Sequence, residues 1–161
     1  MAFLITRFFC LFLVCTSLFA VAVPASAANV LMVREKVAFN KTADEVWKRI
    51  GDFCAIADWH PAVANCVVEG ETRILTLVDG GAIEEARTDA SAMSYKYTIS
   101  SGPLPVDHYK ASFKIKDKKD GTSMLIWSAS FSPKGASEDE AKAVVQGIFD
   151  AGIKGMQELF M

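Results

Sequence analysis

Apolar and polar residues alternate with a period of two through much of the second half of the chain. Tyr109, Ala111, Phe113 and Ile115 fall on one face, and Lys110, Ser112, Lys114 and Lys116 on the other. Alternation of this kind marks an antiparallel strand with one face covered and one face wet. Met93, Tyr95, Tyr97 and Ile99 repeat it against Ser94, Lys96, Thr98 and Ser100, and Leu125, Trp127, Ala129 and Phe131 repeat it again. Asp120-Gly121, between two of these runs, is a strong hairpin signal. Lys114, Lys116, Lys118 and Lys119 therefore read as a solvated strand face and turn, not as a basic patch. Residues 30–39 read as an earlier strand, and residues 62–132 as strands and turns throughout.

Two segments carry helical signals instead. Thr42-Ala43-Asp44-Glu45 is a capping box, in which the Thr hydroxyl and Glu carboxylate satisfy orphan amides at a helix start. Val46, Ile50 and Phe53 continue a short helix that Gly51 ends. Ser137-Glu138-Asp139-Glu140 is a second box, and its acids complement the helix dipole. From there Ala141, Val144, Val145, Ile148, Phe149, Gly152, Met156 and Leu159 trace a broad apolar stripe to the carboxyl terminus. A helix of about 22 residues is about 33 Å long, enough to cross the face of a sheet. Gly147, Gly152 and Gly155 each cost that helix up to ~1 kcal/mol relative to Ala, tolerable where close approach to the sheet or room beside it compensates; a frayed, less stable helix end is the alternative. A sheet apolar on one face must bury it, and this helix is the large element available. The expected fold is α+β: a curved antiparallel sheet of about seven strands wrapped around a long C-terminal helix, with short helical structure after the first strand.

The chain has 161 residues, with 17 Lys+Arg against 19 Asp+Glu and a net charge of −2. That balance argues against a nucleic-acid partner. Hydrophobic residues make up 52% of the chain, but much of the excess lies in residues 8–23. This run follows the single charge of Arg7 and precedes Pro24-Ala25-Ser26-Ala27. A charged start, an apolar run and an A-x-A site describe a secretory signal peptide. The expectation is a signal peptide over residues 1–27, cleaved after Ala27 or Ala28, and one domain over 28–161. The run is shorter than the ~20 residues that span a bilayer as a helix, so the expected product is periplasmic or secreted, with no stable membrane insertion after signal cleavage; an uncleaved anchor is the alternative. Cys10 and Cys15 leave with the leader. Cys54 and Cys66 remain, and an oxidising compartment permits a disulfide between them. Two buried thiols are the alternative, and the sequence leaves both open. No metal site is expected from two histidines without further ligands, and nothing calls for a cofactor.

The order of elements carries a resemblance, together with Trp47-x-x-Ile50-Gly51-Asp52-Phe53, Trp59-His60-Pro61, Gly81-x-Ile83-Glu84 and Pro103-Leu104-Pro105-Val106-x-x-Tyr109. The chain resembles the polyketide cyclase/dehydrase branch of the START-like (SRPBCC, helix-grip) superfamily. Within that branch it is similar to small exported accessory proteins encoded beside periplasmic methanol-oxidation genes. The resemblance implies a cavity between sheet and long helix that accepts an apolar or amphipathic small molecule. It also implies two loops at the mouth, at residues 78–81 and 101–108, where Gly-Gly and Pro-x-Pro punctuate the strands.

Glu84 shares strand parity with Ala82 and Ala86, while Glu85 and Arg87 face the other way. With the alanines inward, Glu84 is a carboxylate at the cavity wall, there to anchor a polar group or act as a base; with a twist or bulge it sits at the rim. His60 either gates the pocket or simply turns the chain into the next strand. His108 lies in the second loop. Trp59, Tyr95, Tyr97, Tyr109, Trp127, Phe149 and Ile153 complete the candidate lining, with packed core as the alternative for each aromatic. No nucleophile elbow, phosphate loop or dinucleotide fingerprint appears. Three functions are consistent with this: a non-catalytic exported binding protein, an accessory factor for a periplasmic dehydrogenase and its cytochrome, and a cyclase or dehydratase using Glu84 and His60.

Overall fold

The computed structural model describes residues 29–161, and the leader read in residues 1–27 lies outside them. The first strand, β1, runs Leu31–Phe39. Thr42 then caps helix α1, Ala43–Ile50, with both bonds of the capping box formed. A four-residue helix, α2, covers Ile56–Trp59. Six strands follow: β2 Val63–Glu69, β3 Thr72–Leu77, β4 Ala82–Ser91, β5 Ser94–Ser101, β6 Val106–Asp117 and β7 Ser123–Pro133. Helix α3, Glu138–Glu158, closes the chain, and Ser137 and Glu140 form its capping box.

The seven strands make one curved antiparallel sheet in the order β1-β7-β6-β5-β4-β3-β2, which leaves β1 and β2 at its margins. Joining the first strand to the last puts β1 beside β7, and hairpins build the rest. The β6–β7 register sets Phe113 opposite Trp127 and Ala111 opposite Ala129, so the apolar sets of both strands share one face. Between them Gly121 holds φ +83°, a conformation that favours glycine, and so fixes the hairpin read from Asp120-Gly121. Helix α3 lies against β1 and β7 with Ala141, Val145, Phe149, Gly152 and Met156 buried, while α1 covers β6 and β7. This is the helix-grip α+β fold.

Two of the helix glycines are there for contact. A Cβ on Gly155 would stand 1.8 Å from the Trp59 carbonyl oxygen, and one on Gly152 would stand 2.9 Å from the His60 ring and 3.0 Å from Trp59 and Trp127. Gly147 meets nothing within 4 Å. Helix α3 thus rests on the α2 backbone at Gly155 and on the His60, Trp59 and Trp127 rings at Gly152. Among the described residues no helix is long and apolar enough to cross a membrane.

Candidate functional site

The space between the sheet and α3 is largely filled by aromatic rings. Trp127 stacks on Phe149 with ring centroids 3.9 Å apart, and Phe113 is sandwiched between Trp59 at 6.0 Å and Tyr95 at 5.3 Å. What remains is a cavity of about 130 Å³ toward the β3–β4 and β5–β6 loops. Leu75, Leu77, Ile83, Ile99, Leu104 and Ile148 give it an apolar wall; Glu85, Tyr97, Tyr109 and His60 bring polar atoms to it.

The strongest electrostatic feature is a buried ion pair, of which Glu85 belongs to that wall and Arg73 lies behind it. Arg73 on β3 and Glu85 on β4 face each other across the sheet and are 1% and 5% exposed. Arg73 donates from Nε to Glu85 Oε2 at 2.6 Å, and its Nη2 lies 2.5 Å from the same oxygen. Its Nη1 donates to the Phe53 carbonyl, and its guanidinium lies 4.1 Å over the Phe53 ring. Burial pushes the Glu85 carboxyl up while Arg73 pulls it back. Burial pulls Arg73 down, but Glu85 and the neighbouring tyrosines more than offset this and hold it protonated. Next to the pair, Tyr97 accepts a hydrogen bond from Trp127 Nε1 at 3.0 Å, and burial raises the phenols of Tyr97 and Tyr109.

His60 is 4% exposed and fully bonded. Its Nδ1 accepts from the Ala62 amide at 3.2 Å, which leaves Nε2 to donate to the Ile148 carbonyl of α3 at 3.0 Å. Acceptance at Nδ1 requires the neutral ring, and burial lowers its pKa accordingly. His60 and Val63 also border a second hollow, a solvent-open groove of about 700 Å³ between α2 and the end of α3. The groove is larger and open to solvent, whereas the cavity is the more enclosed and the more apolar of the two. Among the described residues no three His, Cys, Asp or Glu side chains come together to hold a metal.

Of the residues expected at a site, His60, Tyr97, Tyr109 and Trp127 line the cavity. Trp59 borders the groove instead. Tyr95 and Phe149 lie behind the lining in the stacked rings, and Ile153 is half-buried against the core. Glu84 is corrected outright. It is exposed on the outer face, where Ser100 Oγ contacts it at 3.4 Å. The inward set on β4 is Ile83 and Glu85, because Arg73 offers Glu85 a counter-charge inside and nothing inside offers Glu84 one. Glu84 and His60 therefore lie on opposite faces of the sheet, and an acid–base pairing between them has no geometric basis. His108 belongs to β6, exposed at a bulge with φ +52°, so the second loop narrows to residues 102–105. Arg73 was not anticipated at all, although it alternates with Leu75 and Leu77 on the inward parity of β3.

Cys54 and Cys66 are joined by a disulfide, with Cα atoms 5.5 Å apart. It ties the segment carrying Phe53, and hence the carbonyl that holds Arg73, to the marginal strand β2.

Comparison with known proteins agrees with this architecture. The family described as polyketide cyclase/dehydrase and lipid transport matches residues 31–160, and the chain belongs to it. Among solved structures, the XoxI protein of Bacillus cereus is 28% identical with a TM-score of 0.76, covering 80% of this chain and 94% of its own. An uncharacterised protein of Bacillus thuringiensis is 29% identical with a TM-score of 0.77, covering 81% and 98%. An aromatase/cyclase of Streptomyces, at 20% identity and a TM-score of 0.66 over 80% and 92%, shares the fold alone. No curated protein matches the chain.

Proposed function

We propose that this is an exported, non-catalytic binding protein that holds a small apolar or amphipathic molecule between its sheet and C-terminal helix. The carrying observation is the cavity of about 130 Å³ with almost wholly apolar walls and the Glu85 carboxylate at its border. An engineered cavity of about 150 Å³ binds benzene, whereas drug-sized ligands occupy roughly 300–1,000 Å³. The ligand is accordingly compact, about the size of one six-membered ring, and a lipid chain does not fit without displacing the stacked aromatics. His60 is not free to act as a base there, since both of its nitrogens are engaged with backbone.

The test is a thermal-shift and native mass-spectrometry series running from single-ring compounds to fatty acids and quinones. Small rings should raise the melting temperature, with about 2.7 kcal/mol of stabilisation at a hundredfold excess over Kd; longer molecules should not. No shift with any small ring would end the proposal.

The likeness to XoxI over nearly its whole length favours a second reading, an accessory role beside a dehydrogenase–cytochrome pair of the methanol-oxidation type. The open groove between α2 and α3 would then meet the partner. Loss of alcohol-dependent electron transfer on deletion supports it, and unchanged growth on every alcohol tested removes it.

A further inference from the structure

Both guanidinium contacts with Glu85 end on the same oxygen, Oε2. Among the described residues no donor reaches Oε1. That atom is not sealed in the packing either: the fully enclosed side-chain atoms without a partner are Trp59 Nε1 and Ser123 Oγ. Glu85 is itself part of the cavity wall. A carboxylate oxygen with a free lone pair therefore borders a space that is otherwise mostly hydrocarbon. An acceptor left bare in such a place is costly, and a donor supplied by an occupant removes that cost.

Resting on the binding role argued above, we infer that the ligand is a neutral hydroxyl compound of single-ring size, a phenol or compact alcohol, whose O–H donates to Glu85 Oε1. Neutrality follows from charge. Arg73 already balances Glu85, so a cationic ligand would leave one net positive charge in a desolvated apolar site. An anion would meet Glu85 directly, since Glu85 borders the cavity and Arg73 does not. A purely apolar ring fits the space but leaves Oε1 without a donor.

Phenol and toluene differ by one hydroxyl against one methyl at nearly equal volume, so they isolate the hydrogen bond. Calorimetric titration of the disulfide-intact protein should give phenol an affinity at least equal to that of toluene, although water competes far more strongly for phenol. Benzylammonium should bind at least tenfold more weakly than phenol. The doubly apolar variant Arg73→Met/Glu85→Leu removes the acceptor without stranding a buried charge. In it, the phenol-to-toluene affinity ratio should fall at least tenfold while toluene still binds. Toluene binding with phenol excluded, or an unchanged ratio in the variant, overturns the inference and leaves the binding role standing. Failure of both rings to bind overturns the two together.

Discussion

Replacing Gly155 by Ala adds one methyl group where the structure has no space for it. The new Cβ would lie 1.8 Å from the Trp59 carbonyl oxygen, whereas real Cβ atoms essentially never come within 3.0 Å of another atom. Both sides of the contact are backbone, so no rotamer change relieves it. Helix α3 or the α2–β2 segment has to retreat by more than an ångström. The same shift pulls on the His60–Ile148 hydrogen bond and on the Trp127–Phe149 stack. Overpacking of this kind costs about 1–3 kcal/mol; with rigid partners the upper end applies, offset by ~1 kcal/mol of helix propensity gained. The expected net loss is about 2 kcal/mol. Gly147, in the same helix, faces open space, so Gly147→Ala should stabilise by up to ~1 kcal/mol. Urea denaturation of wild type and both variants, followed by circular dichroism, reads the two effects side by side. For a domain of this size about 2 kcal/mol corresponds to roughly 6–10 °C in Tm. Opposite signs at the two glycines are the signature. A Gly155→Ala protein as stable as wild type would mean that α3 does not rest on the Trp59 carbonyl, and the packing described around His60 would fall with it.

Single substitution of Arg73 or Glu85, as in Arg73→Met or Glu85→Gln, should cost about 3–5 kcal/mol by stranding a buried charge or its donors, whereas the double apolar variant should stay near wild type; a double-mutant cycle in urea measures the coupling. His60 sets a pH dependence. Burial holds its native pKa below the ordinary value, so the unfolded chain binds a proton near pH 6.5 that the native chain does not. The His60 contribution is therefore full above about pH 6.5 and is lost as pH falls from there through the native value, a window whose slope His60→Leu should flatten. The Glu45 and Glu140 carboxylates, held low by hydrogen bonds from Thr42 and Ser137, titrate below that window, and burial of Glu85 acts in the opposite sense. Reducing the Cys54–Cys66 bridge, which spans 12 residues, should cost about 2–3 kcal/mol and should loosen the Phe53 segment first in hydrogen exchange.

The parts of the fold that were legible in the sequence are those governed by local rules. Both capping boxes, the Asp120-Gly121 hairpin and the one-faced alternation of β5, β6 and β7 rest on short-range chemistry, and each stands where its residues put it. Of the three helix glycines, Gly152 and Gly155 stand at a close approach and Gly147 meets nothing within 4 Å, a difference that residue type alone does not carry. The cavity wall was harder, because its defining interaction joins two strands. On β4 alone, Glu84 and Glu85 are equivalent carboxylates, and the small alanines beside Glu84 make it the tempting inward choice. Only the pairing of β3 with β4 sets Arg73 opposite Glu85 and decides the parity. Tyr95 and Phe149 share the inward face with Tyr97 and Trp127, so the alternation that placed them could not separate core from lining.

The placement of β2 at the margin of the sheet bears on how the protein is handled. Its outer backbone groups have no partner strand among the described residues, and Val67 and Val68 are 46% and 45% exposed on it. A bare strand with two valines showing is a template for a second chain. Heating or concentrating this protein should nucleate aggregates there, and a single lysine in place of Val67 is the cheapest guard against them.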